Sequence, residues 1–133
     1  DRKRRKKKMA YKAKVVKATK EVSAREKIRL KNFSDFIQLD EATESESVLI
    51  DIDYVATVHV ENDKSDNPEY DKQVYIDKNG QGYVSGSETL FRQFEDIYEE
   101  MKGEGLENEV TIKVYKAPSK NFKGKSFLTC NLV

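Results

Sequence analysis

Residues 48–61 read VLIDIDYVATVHVE, and their pattern sets the architecture expected for the chain. Ile50, Ile52, Tyr54, Ala56, Val58 and Val60 alternate with Asp51, Asp53, Val55, Thr57 and His59. A period of two over six apolar positions predicts a long, bent strand with one buried face. Residues 62–72, NDKSDNPEYDK, predict a turn-rich loop. Residues 73–77 predict a second strand, with Val74 and Ile76 inward and Tyr75 outward. Residues 78–82, KNGQG, predict a hairpin connection in which Asn79-Gly80 supplies positive φ. Residues 83–86 predict a short third strand, with Val84 inward and Tyr83 outward.

Ser87 is a cap for a helix running to about residue 102. Leu90, Phe91, Phe94, Ile97, Tyr98 and Met101 form one apolar stripe on it, and Gly103 is a natural stop. A linker over residues 104–109 leads into residues 110–133, VTIKVYKAPSKNFKGKSFLTCNLV. Val110, Ile112 and Val114 alternate with Thr111, Lys113 and Tyr115. Leu128, Cys130 and Leu132 repeat the alternation after a basic loop over residues 117–125. From residue 48 the order is therefore β-β-β-α-β-β. A mainly β, five-stranded chain with one helix between its third and fourth strands matches the OB-fold, a partly open Greek-key barrel. A different α+β sheet with one covering helix is the alternative.

Charge is segregated along the chain. Residues 1–33 hold 15 Lys/Arg against 3 Asp/Glu, a net of +12, while residues 34–133 hold 10 against 21, a net of −11. The division predicts a basic N-terminal arm over residues 1–33, partly flexible or helical, before an OB-fold domain over residues 34–133. Residues 1–8, DRKRRKKK, contain no apolar side chain and cannot fold alone; Met9 follows and has the look of a native start. Residues 9–22 have a periodicity ambiguous between strand and helix. Ser23-Ala24-Arg25-Glu26 fits a capping box for a short helix over residues 24–31, and residues 40–47, DEATESES, read as a loop. Phe33, Phe36, Ile37 and Leu39 are expected to pack on the body. A single cysteine excludes an intrachain disulfide framework and fits a reducing, cytoplasmic compartment. No apolar run approaches a membrane span, so no membrane partner is expected.

In an OB-fold the ligand crosses the second and third strands, between the loop that follows the first strand and the loop that follows the fourth. Those loops are residues 62–72 and 117–125. Tyr75, Tyr83, Tyr115 and Phe122 are the candidate stacking platforms, and Lys113, Lys120, Lys123 and Lys125 the candidate phosphate contacts. No acidic residue occurs from Val110 onward. Lysines beside aromatic rings suit a single strand of nucleic acid, because the cations hold phosphates while the rings stack on bases of any sequence. Arg2, Lys3, Arg4, Arg5, Lys6, Lys7, Lys8, Lys12 and Lys14 form the arm, for DNA or for the acidic body of a neighbouring subunit, which would give self-association. Tyrosines are also ordinary on half-exposed strands, and the net charge of the body opposes phosphate.

Catalytic signals are poor. His59 lies alone in mid-strand, and Cys130 alternates inward as a core residue. Asp51 and Asp53 have the residue type for a nuclease metal, although paired carboxylates on a strand are usually just solvated. No P-loop, zinc spacing or dinucleotide fingerprint occurs. The chain is read as a non-enzyme without a cofactor or metal.

Three separated stretches carry a family resemblance: SKNFKGKSFLTC over residues 119–130, SGSE over residues 85–88 at a helix start, and ENDKSDN over residues 61–67 after a long strand. Over about residues 23–133 the chain resembles the small single-stranded DNA-binding proteins of phages and conjugative plasmids of Gram-positive bacteria. The resemblance implies an OB-fold and binding without sequence readout or catalysis. It sets Lys120, Phe122, Lys123 and Lys125 in the family's basic loop, and it does not extend to the arm. The resulting expectation is a protein that coats single strands during replication or conjugative transfer. The alternative is a protein–protein interaction module that binds no nucleic acid.

Overall fold

The computed structural model describes residues 11–64, 68–121 and 123–133. Its strands are β1 (Tyr11–Ala18), β2 (Ile37–Gln38), β3 (Val48–Asn62), β4 (Glu69–Asp77), β5 (Gly82–Ser85), β6 (Thr111–Pro118) and β7 (Ser126–Leu132). Its α-helices are α1 (Ala24–Leu30), α2 (Leu39–Ala42) and α3 (Glu88–Gly103). The strands form one curled, partly open sheet in the order β2-β5-β4-β3-β6-β7, with β1 paired to β3. The long helix α3 lies between β5 and β6, as the sequence implies. Among the described residues the count of five strands is corrected to seven, because the N-terminal segment adds two strands to the body.

The long strand is the hinge of the architecture. Its first residues pair with β6, from Val48 opposite Val114 to Asp51 opposite Thr111. Its later residues pair with β4 and, on the other edge, with β1. Opposite β4, Ile52 meets Asp77 and Tyr54 meets Ile76, so Asp53 is an extra residue. Such a bulge bends the strand and reverses which side chains face which side. Ile50, Ile52 and Val55 enter one core, with Tyr75, Leu90, Phe94, Val110, Ile112, Val114, Leu128 and Cys130. Tyr54, Ala56, Val58 and Val60 enter a second core, with Val74, Ile76, Val84, Leu30 and Phe36. The alternation that suggested one buried face is thus two half-patterns joined at Asp53.

Residues 11–33, taken from sequence as arm, are built into the second core. Ala13, Val15 and Ala18 of β1 pack on it, and Leu30 of α1 is fully buried. Ser23 caps α1 by accepting from the Glu26 amide at 3.2 Å. The Glu26 carboxylate, which a capping box would turn back to residue 23, instead accepts from the Tyr54 hydroxyl at 2.5 Å. Arg29 donates to the Gly80 carbonyl and lies 5.6 Å over the Phe36 ring, fastening α1 to the β4–β5 turn. Of the other N-terminal apolar residues, Phe36 and Leu39 are buried whereas Ile37 is 40% exposed.

Ser87 caps α3 through the Leu90 amide, and the helix delivers Leu90 and Phe94 to the first core. It ends one turn-residue later than Gly103 suggests. Gly105 takes φ +74, and its amide and that of Leu106 bond back to Lys102 and Met101. This is a Schellman stop, where glycine relieves the left-handed strain.

Candidate nucleic-acid interface

The β6–β7 hairpin divides its side chains cleanly. Ile112, Val114, Leu128 and Cys130 are buried in the first core. Burial pushes the Cys130 thiol up to about 12, which makes it an inert packing group. Leu132, expected inward, is 44% exposed because it lies at the end of the sheet.

The opposite face carries three cross-strand rows: Leu49 beside Lys113 and Asn131, Tyr115 beside Thr129, and Ala117 beside Phe127. Lys113 is exposed, Phe127 is 38% exposed and Leu49 is 61% exposed. Tyr115 is half-buried, and its hydroxyl accepts from the Asn131 amide at 3.0 Å, which fixes the ring on the strand surface. Tyr115 and Phe127 stand in adjacent rows, diagonal neighbours within reach of each other's aromatic surface. The connecting loop is closed by the Ser119 amide on the Lys125 carbonyl at 2.9 Å and turned by Gly124 at φ +77. Lys120, Lys123 and Lys125 are exposed on it. Phe122 lies outside the described residues.

Lys113, Tyr115, Lys120, Lys123 and Lys125 are therefore brought together on one hairpin. Tyr75 and Tyr83 are not part of it, and their outward placement is corrected. Tyr75 is fully buried, edge-on to Phe94 with ring centroids 5.8 Å apart. Tyr83, directly opposite Tyr75, is half-buried against the same core. The cause is that β4 is covered on both sides: α3 lies over the tyrosine face, and residues 22–36 lie over Val74, Ile76 and Val84. Where both faces are apolar, period-two alternation does not say which one is solvated. Phe127 was overlooked, although the inward alternation of Leu128 and Cys130 already turns it outward beside Tyr115.

Lys12 and Lys14 of the arm lie exposed on β1, opposite Glu61 and His59. Arg2, Lys3, Arg4, Arg5, Lys6, Lys7 and Lys8 lie outside the described residues. Lys17 and Lys20 bond to Glu95 and Asp53 at 3.1 and 2.7 Å, so part of the arm's charge is neutralised within the fold. Asp51 lies 3.4 Å from Lys78 and accepts from the Thr111 hydroxyl, so the two aspartates are held by separate cations.

The concave side of the sheet has the opposite character. A cleft of about 700 Å³ between β1, β3, β4 and the first turns of α3 is lined by Glu69, Asp71, Glu88 and Glu95, against Lys17, Arg92 and His59. Its buried floor includes Thr57 and Gln73, joined by a 2.6 Å hydrogen bond. Carboxylates outnumber lysine and arginine there, so this side repels phosphate whereas the hairpin face attracts it. Among the described residues, no helix is long and apolar enough to cross a membrane. Comparison with protein-family models, curated proteins and solved structures finds no match.

Proposed function

We propose that the protein is an OB-fold single-stranded DNA-binding protein that coats strands without sequence readout, as replication or conjugative transfer of plasmid or phage DNA requires. The strand order β5-β4-β3-β6-β7, with α3 between β5 and β6, supports the fold assignment. The observation that carries the function is the outer face of the β6–β7 hairpin. Tyr115 and Phe127 lie there beside Lys113 and the loop lysines, in a stretch without a single acid. Rings on a strand surface hold bases by stacking, worth roughly 1–3 kcal/mol per base. The lysines release counterions from the backbone.

Fluorescence anisotropy of labelled oligo-dT across a salt series tests this directly. Engagement of the four lysines predicts an affinity that falls with a log–log salt slope of about −3. Absence of binding at low salt would favour the interaction module, for which the exposed Leu49 and Phe127 would be the contact points. Magnesium-dependent shortening of the oligonucleotide would instead identify a nuclease.

A further inference from the structure

At the loop end of the β3–β4 pair, His59 stands directly opposite Asp71, and Glu61 directly opposite Glu69. The four side chains share one face, two adjacent rows of an antiparallel ladder. The imidazole has a carboxylate on each nitrogen: Nδ1 lies 2.8 Å from Asp71 Oδ1 and Nε2 lies 3.3 Å from Glu69 Oε1. The ligand atoms of His59, Glu61 and Glu69 all lie within 4.8 Å of one another. Lys12 and Lys14 stand across from Glu61 and His59 on β1, yet neither forms an ion pair with them among the described residues. Glu61 has no hydrogen bond or ion pair there either.

Like charges directly opposite across a ladder destabilise it, and Glu61 faces Glu69. A cation between Nε2, Glu61 and Glu69 offsets that repulsion. We propose that His59 Nε2, Glu61 and Glu69 bind a divalent transition-metal ion of the zinc class, with Asp71 orienting the imidazole through Nδ1. The 3.3 Å separation of Nε2 from the Glu69 oxygen is close to the edge of a tetrahedron with bonds of about 2.1 Å, roughly 3.4 Å. A carboxylate on the far nitrogen is the usual partner of a metal-bound histidine. His59, Glu69 and Asp71 line the concave cleft, which leaves a fourth position open to water. The inference is independent of strand binding, since the site lies away from the β6–β7 hairpin face.

The sequence contains one histidine, so its ring signals report on the site alone. Zinc titrated into the full-length protein is expected to shift the His59 ring protons and saturate at one equivalent, with calorimetry giving the same stoichiometry. Asp71→Asn is expected to weaken binding by about tenfold or more. Glu61→Gln also weakens it and leaves the circular dichroism of the metal-free protein unchanged, with a melting temperature no lower than that of the wild type. Ring signals that stay in place at a large excess of zinc overturn the proposal. So does zinc binding of equal strength in His59→Ala or Glu61→Gln.

Discussion

Tyr75 is the residue at which sequence and structure part most sharply. As a stacking platform it would lose strand binding on truncation. As the buried partner of Phe94 it carries a hydroxyl with no hydrogen-bond partner among the described residues. Burial pushes its phenol well above the usual range, with the Cys130 thiol and Glu95 adding to the effect. An unsatisfied buried hydroxyl costs free energy that its removal returns. Tyr75→Phe is therefore expected to keep the fold and raise stability by on the order of 1 kcal/mol in urea unfolding, with oligo-dT affinity unchanged. A clear loss of affinity in this variant would return Tyr75 to the interface.

At the scale of elements, the contact between the β4–β5 turn and the N-terminal segment depends on one missing side chain. A Cβ at Gly82 would overlap the Phe36 ring. That ring is only 6% exposed and has Arg29 on it, so it has little room to yield. Gly82→Ala is expected to destabilise the protein by about 1–3 kcal/mol, read as a lower urea midpoint with an unchanged slope; wild-type stability would mean that the second core is looser than its packing implies. These elements also mark how far the sequence was legible. The helix stripe, the Ser87 cap and the strand order followed from local pattern, because α3 has one wet face and its cap is local chemistry. The bulge at Asp53 was not legible, since an alternating run looks the same whether or not one residue is skipped. The burial of Tyr75 was not legible either, since both faces of β4 are apolar and both are covered, and the packing of β1 on β3 is a long-range pairing that local periodicity does not report. The hairpin lysines and Tyr115 were legible because β6 and β7 have one apolar and one polar face.

For the whole molecule, the division into arm and body gives way to a sheet with a core on each side. Residues 11–33 belong to the second core. A deletion through residue 33 would therefore remove β1 and α1 and expose Val58, Val60 and Val74, and a truncation meant to test self-association has to stop before Tyr11. The two faces of the molecule also differ in sign. Acids dominate the concave cleft, and lysines dominate the outer face of the β6–β7 hairpin. The central claim is that this hairpin face holds single-stranded DNA by stacking as well as by charge. The measurement that tests it most directly is oligo-dT anisotropy of Tyr115→Ala with Phe127→Ala, at matched salt and with melting temperature as a control. Loss of two stacking contacts at roughly 1–3 kcal/mol each predicts at least a tenfold weaker affinity, with the salt slope retained. Wild-type affinity in a folded double variant would contradict the account.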